Sequence, residues 1–504
     1  MKLKCKFVDV FEASPLCALD PVDCEEIGVK ENDRVRLVGE RGEVTVLLLS
    51  SEQFVEAGTV LISQRIAKRL GVKDGEIIDV YHSPAPESVR AIRKKMDGEK
   101  LSGVEIDAIV KDIYAGRLSV IEISSWLTSL YINGMDLDEI ADFTKSMVNT
   151  GDRVPFEKGP VFDFHSIGGV PGNKITPIVV SIVAAAGLML PKTSSRAISS
   201  ACGTSDFVET FCDVDVSAER LKEIGESVGG AFVWGGSMNL APVDDLVIKI
   251  EHPLGINPRP QMLASILSKK LAINANYLLV DIPTGAGTKV PTIEVARSYA
   301  RDFMDLGEKL GIHIECAITY ADQPVGSAIG PNLEARECIR ILEGEQHPAS
   351  VIEKACECAG ILLEMGGFHN GVEKAKEILR SGKAHEKFIE IVVAQGGRAD
   401  LKSSDLEPGK YSCDILSPKS GYVHSIKNKD LVSIVKACGA PSDKGAGMLL
   451  YKKKGQRVEA GEAMFTLYAD NEAKLQRAKD MAERYCPVVI EGMLIKRLTS
   501  PKPI

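Results

Sequence analysis

The chain has 504 residues, 44% of them hydrophobic and 26% charged, with aromatics at only 5%. That balance belongs to a globular chain of about three or four domains and excludes a disordered or fibrous protein. A net charge of −9, from 61 basic and 70 acidic residues, leaves no basic half or tail for a nucleic-acid backbone, so no nucleic-acid partner is expected. The opening MKLKCKFVDV lacks the apolar core of a secretory signal. The most apolar run, Ile175 to Leu190, contains Pro177 and falls short of the roughly 20 residues a spanning helix needs, so a cytoplasmic protein without a membrane partner is expected. The twelve cysteines are scattered, with Cys356 and Cys358 the tightest pair and no CxxC, so they read as buried thiols in a reducing compartment. The eight histidines do not pair at ligand spacing, and no metal site is expected.

In chain order, residues 1 to 84 alternate apolar and polar positions in short runs, as in Arg34 to Val38 and Glu43 to Leu49, which predicts a small β-barrel. The segment closes at His82-Ser83-Pro84-Ala85-Pro86, an extended linker. From Ser88 to about Asn149 the period is helical, in short stretches each ended by glycine or a polar cap. Between Pro160 and Asp400 short apolar runs alternate with helical stretches, which predicts a mostly parallel α/β sheet. Within it Pro242 to Ala272 reads as helix-rich and is able to join the earlier helical block. After Leu406 short strands with glycine corners and a helix near Asn471 to Tyr485 predict an α+β domain.

Three segments carry candidate chemistry. In residues 161 to 187 a strand ends at His165-Ser166, then Gly168, Gly169 and Gly172 form a turn, and Thr176-Pro177 reads as an N-cap and first helical residue. Amides at a helix start, with glycines allowing close approach and Lys174 nearby, make an anion cradle suited to phosphate. The spacing is not that of a Walker A loop. Residues 192 to 206 place hydroxyls at 193, 194, 195, 199, 200, 204 and 205, with Arg196 as a planar donor fork, after a second apolar run. Tyr277 to Val290 repeats the strand and glycine turn and ends at Lys289, able to meet a second anion or a sugar oxygen or simply to sit in solvent. No GxSxG or HExxH occurs, which disfavours a hydrolase or zinc peptidase.

At these residues the sequence resembles the thymidine phosphorylase superfamily and, within it, the archaeal AMP phosphorylases. The resemblance is carried by DFHSIGGVPGNK (163 to 174), PKTSSRAISSACGTSDFVE (191 to 209), PQMLASILSKKLA (260 to 272) and GAGTKVPT (285 to 292), and it covers essentially the whole chain, including an N-terminal barrel that bacterial pyrimidine nucleoside phosphorylases lack. It implies an α/β class fold: a barrel over 1–84, a helical domain from 85–155 and 242–275, an α/β domain with a mostly parallel sheet from 156–241 and 276–405, and a C-terminal α+β domain over 406–504. The implied reaction converts AMP and phosphate to adenine and ribose 1,5-bisphosphate, with CMP and UMP as further substrates, in nucleotide salvage. Inorganic phosphate is the co-substrate, no other cofactor is implied, and the chain is expected to form a homodimer or larger homo-oligomer.

By the same pattern Ser166, Thr176, Ser194 and Thr204 match hydroxyls around the attacking phosphate. Gly169, Ser195, Arg196, Ala197, Ile198, Ser199, Ser200 and Thr204 match nucleotide-binding segments, and Ser265 and Lys289 match further substrate contacts. Three positions depart from the family. Phe164 stands where pyrimidine nucleoside phosphorylases have a phosphate-binding Lys. No Arg occurs in the base-reading region near Lys249 to Glu251. Asn257 occupies the position of the AMP phosphorylases' Asp proton donor, and an amide offers a hydrogen bond but no transferable acid proton. The alternatives are a thymidine-type pyrimidine nucleoside phosphorylase and a nucleotide-binding regulator with weakened catalysis.

Overall fold

The computed structural model describes residues 1–8, 16–197, 200–494 and 497. The described residues divide into two compact units, 1–151 with 241–268, and 152–240 with 269–504.

In the first unit, β1 (Lys2–Phe7), β2 (Leu16–Leu19), β3 (Arg34–Gly39), β4 (Gly42–Ser50), β5 (Thr59–Ile62) and β6 (Ile77–Ser83) form the expected closed barrel, in the order β1-β5-β2-β4-β3-β6. The period-two alternation does what it should: Val44, Val46 and Leu48 of β4 point inward beside Val35, Leu37, Val60 and Ile62. Cys5, Cys17 and Cys24 are free thiols of that core.

Helices Ser88–Met96, Gly103–Tyr114, Val120–Asn133 and Leu137–Asn149 follow, joined in this unit by Pro242–Leu254 and most of Arg259–Ala272. Three of them open with reciprocal capping boxes, Ser102 with Glu105, Ser119 with Glu122 and Asp136 with Glu139. Two box glutamates also hold the unit together. Glu122 pairs with Arg34 of the barrel, whose Nε donates to the Arg117 carbonyl at 2.8 Å. Burial alone would raise the Glu122 carboxyl, but Arg34 and Ser119 hold it below its ordinary range.

Glu139, fully buried, accepts from Lys95 Nζ at 2.9 Å, the Leu101 amide at 2.8 Å and the Asp136 amide at 2.9 Å.

The second unit is built on parallel strands: β7 (Phe162–Ser166), β8 (Leu190–Ser194), β9 (Gly230–Trp234), β10 (Tyr277–Thr284) and β11 (His313–Tyr320). A parallel bridge from Val161 to Met189 joins β7 to β8, so the strands run in the order β11-β10-β7-β8-β9. Helix Thr176–Ala185 lies deep in the core: Ile178, Val179, Val180, Ile182 and Val183 are all fully buried. This explains the most apolar run of the sequence as an interior helix.

The C-terminal part pairs β12 (Ala328–Ile329), β13 (Tyr411–Leu416), β15 (Gly447–Leu450) and β17 (Ala463–Ala469) in one sheet. A second sheet holds β14 (Gly421–Ile426), β16 (Arg457–Val458) and β18 (Val488–Glu491). Helices Asn428–Cys438 and Glu472–Tyr485 complete its core. The architecture is the expected α/β class with a barrel, a helical part and a C-terminal α+β part. Among the described residues no helix is long and apolar enough to cross a membrane.

Lys95→Met would leave the Glu139 charge buried without its cation. It is expected to cost the first unit about 3–5 kcal/mol, the range for a broken buried pair, read as a lowered urea midpoint.

Candidate functional site

Strand order locates the site. Along the chain β8 and β9 add to one side of β7, and β10 then starts again on the other side, so the order reverses between β7 and β10. In an open parallel sheet the loops leaving the carboxyl ends of two such strands diverge and leave a crevice, the usual ligand position. Here those loops are the glycine turn after Ser166 and the glycine turn after Thr284.

The two turns touch. Gly168 and Gly169 adopt φ of 79° and 93°, and a Cβ on Gly169 would lie 2.8 Å from the Lys289 amide nitrogen. Gly169 is therefore required twice, for left-handed backbone and for the approach of the two loops. No hydrogen bond to a described residue occupies the amides of Gly169 and Val170. The Gly168 amide donates to Ser166 Oγ at 3.4 Å and the Ile167 amide to the Asp281 carbonyl at 3.0 Å.

Two sequence expectations are corrected at this turn. Thr176 is the first residue of the helix rather than its cap; Ile175 holds the cap position and Pro177 follows within the first turn, where a missing N–H costs nothing. Thr176 itself is buried. Lys174 does not serve the cradle: fully buried, it donates to Glu337 at 2.6 Å and to the Val325 carbonyl at 3.0 Å, bracing the turn from behind. Glu337 also accepts from the Ser327 amide at 3.0 Å. Lys453, from the segment after β15, donates to the carbonyls of Pro324 and Gly326; burial and the neighbouring Lys174 lower its ammonium to about 7.

Beneath the strand ends lie two buried ion pairs. Asp163 meets Lys270 at 2.7 Å and Lys192 at 4.0 Å. Burial and then Lys270 push the Lys192 ammonium well below its usual range, and burial followed by Lys270 and Lys192 does the same to His165. Phe164, between Asp163 and His165, is fully buried in the core. Under β7 and β10, Asp281 pairs with Lys354 at 2.8 Å and accepts from Thr319 Oγ1 at 2.5 Å. Asn173 Nδ2 donates to Ser166 Oγ at 3.0 Å and to Asp281 Oδ2 at 3.4 Å.

The second turn, after β8, is closed by Asp206, whose Oδ2 accepts from the amides of Ala197 at 2.7 Å and Gly203 at 2.8 Å. Gly203 packs so tightly that its Cβ would lie 2.6 Å from the Ala197 nitrogen. Arg196 turns its fork to Glu209, at 2.6 and 3.0 Å, and lies 4.8 Å from the Trp234 ring centroid. Arg196, against the opposing effect of burial and with help from Lys444 at 2.7 Å, holds the Glu209 carboxyl at about 2. The guanidinium read from the sequence as an anion fork is thus already paired.

Ser195 is exposed, and Thr204, half-buried, opens the short helix Thr204–Val208. Ser194 Oγ is buried with no hydrogen-bond partner among the described residues. Ser200 Oγ donates to the Cys202 carbonyl at 3.0 Å, while Ile198 and Ser199 lie outside the described residues.

Lys289 is exposed on the third turn. In the first unit Ser265 Oγ donates to Asp244 Oδ2 at 2.8 Å, beside Gln261 Nε2 on Oδ1 at 3.0 Å. Asn257 sits exposed just before helix Arg259–Ala272, with Nδ2 3.9 Å from the Met262 sulfur.

Sequence reasoning did not single out Asn173, Asp281, Lys354, Glu209 or Glu337. Asp206, three residues after Gly203 at a helix start, carried a capping signal that could have been read. Lys354 carried none, since only the tertiary structure brings it to Asp281.

Residues 89–151 match the helical bundle domain of a glycosyl transferase family, 158–385 its a/b domain, and 422–488 the pyrimidine nucleoside phosphorylase C-terminal domain. AMP phosphorylase 1 of Archaeoglobus fulgidus is 47% identical over 95% of both chains. The AMP phosphorylases of Thermococcus kodakarensis and Methanocaldococcus jannaschii are 48% and 47% identical over 99% of both chains. Among solved structures, the anthranilate phosphoribosyltransferase of Thermus thermophilus superposes with a TM-score of 0.50 at 21% identity, covering 61% of this chain and 99% of that one, a likeness of fold.

Behind the first turn, burial raises the Glu334 carboxyl to about 7 in spite of Lys174. A raised folded value means the stability it contributes is whole below the free carboxyl's value and is lost as pH rises through 7. Glu334→Gln and the parent should therefore melt alike near pH 4.5, and the variant should melt a few degrees higher at pH 8.5, as read by calorimetry.

Proposed function

The chain belongs to the AMP phosphorylase family, and on that premise we propose that it splits AMP with inorganic phosphate into adenine and ribose 1,5-bisphosphate. What carries the reading is the crevice at the strand-order reversal, where the glycine turn after β7 meets the turn after β10. The amides of Gly169 and Val170, which no described residue occupies, suit an oxyanion, in a chain whose full-length relatives are AMP phosphorylases.

The attacking phosphate is assigned to the amides of Gly169 and Val170 with the hydroxyls of Ser166, Thr176, Ser194 and Thr204. A phosphate oxygen forms the new bond to C1′ of the ribose as the glycosidic C–N bond breaks, and that electron pair leaves with the base, which takes up a proton. The nucleotide is assigned to Gly169, the 195–200 segment, Thr204, Ser265 and Lys289. Neutral amides and hydroxyls bind phosphate in either of its common protonation states. Phosphate is the one co-substrate, with no further cofactor. CMP and UMP are further substrates, in nucleotide salvage in the cytoplasm, and the working form is a homodimer or larger assembly.

Incubation with phosphate and, separately, AMP, CMP, UMP or thymidine tests the reading by chromatography of released base. Adenine from AMP supports it. Thymine alone would replace it with a pyrimidine nucleoside phosphorylase, and AMP binding without base release would leave a regulator.

Asn257 is the position where the family carries its proton donor, and an amide has no acid proton to give. Asn257→Asp is expected to raise kcat for AMP about 10²-fold, the low end of general acid catalysis, and to add a basic limb to the pH–rate profile. A change of less than about twofold would show that another group protonates the base.

A further inference from the structure

We propose that Asn173 is a positioning residue for phosphate: it fixes the hydroxyl of Ser166 so that the hydroxyl proton points out of the turn. The inference rests on the phosphate assignment above and names how the turn is set before phosphate arrives.

The argument starts at Asp281. Its carboxylate, paired with Lys354 at 2.8 Å, can only accept, so the Asn173 atom 3.4 Å from Oδ2 must be the amide nitrogen. Asp281 thereby decides which way the Asn173 amide faces. The cost of that choice is visible, because Asn173 Oδ1 is buried without a hydrogen-bond partner among the described residues. Exchanging the two ends would set Oδ1 against the Asp281 carboxylate, two acceptors facing each other, so the amide does not turn.

The same nitrogen, with its second hydrogen, donates to Ser166 Oγ at 3.0 Å, and the Gly168 amide donates to that oxygen at 3.4 Å. A hydroxyl has two acceptor sites and one proton. With both acceptor sites occupied from inside the turn, the proton of Ser166 can serve only as a donor toward the crevice. A serine left to rotate could instead offer phosphate a lone pair, which repels it. Asp281 is held in turn by Thr319 Oγ1 at 2.5 Å, and its own carbonyl accepts from the Ile167 amide at 3.0 Å, so the frame that orients Asn173 also holds the turn.

The test is a double-mutant cycle in phosphate affinity. Kd for inorganic phosphate is measured by calorimetry on the full chain, alongside the KM values for phosphate and AMP. Asn173→Ala and Ser166→Ala are each expected to weaken phosphate binding about tenfold, the loss of one hydrogen bond to a charged group, with the KM for AMP within about twofold of the parent. If Asn173 acts through Ser166, the double variant matches Ser166→Ala alone. Independent, multiplying effects would overturn the inference.

Asn173→Leu guards against a packing artefact, since it keeps about the size and shape of the side chain but offers Ser166 no donor and sets no second carboxylate beside Asp281. It should weaken phosphate about as much as Asn173→Ala, and phosphate affinity equal to the parent's would overturn the inference. A chain that binds phosphate yet releases no base from AMP would sink the function reading alone, with the affinity cycle still deciding the role of Asn173. A parent chain that binds no phosphate would sink both.

Discussion

The site depends on one steric constraint: the backbone of the turn after β7 and that of the turn after β10 must approach to contact, at the point where strand order reverses. The Cβ of any other residue at 169 would press on the Lys289 amide, and the φ there already excludes ordinary side chains. Once that contact is made, the amides of Gly169 and Val170 have no hydrogen-bond partner among the described residues, while residues around them are committed to the fold. The parallel sheet supplies the divergence of the loops, and the glycine supplies their approach.

Most of the charge near these turns works as frame. Lys174, Lys192, Lys270 and Lys354 are all buried or nearly so and meet Glu337, Asp163 or Asp281, and Arg196 is held by Glu209. Buried pairs contribute little net stability over an apolar filling, but leaving one partner alone is costly, so they fix geometry strongly. These cations around the turns are thus committed to carboxylates of the fold.

The C-terminal part braces the same turns. Lys444 reaches Glu209 and the Asp206 carbonyl, Lys453 caps the carbonyls of Pro324 and Gly326, and Asn428 donates to the Ala321 carbonyl at 2.9 Å. Each contact lands on a segment that leaves or supports a crevice loop. The arrangement gives this domain a structural reason to accompany the α/β sheet.

Much of this was legible in the residues alone. Alternation in Glu43 to Leu49 marked a barrel strand, the change to helical period after Ser88 marked the helices, and glycine turns following apolar runs marked the crevice loops, because each is a local pattern set by the geometry of one element. Glycine spacing could also say that a turn was there, though not what faced it. The fate of Lys174 and Arg196 was decided by the tertiary structure, since a long side chain near a glycine turn reads the same whether it faces an anion or a carboxylate 13 or 163 residues further along the chain. Asn173 shows the same limit most sharply: its role depends on Asp281, 108 residues away, and on Lys354 beyond it, partners that only the packing of separate strands and helices brings within hydrogen-bond reach.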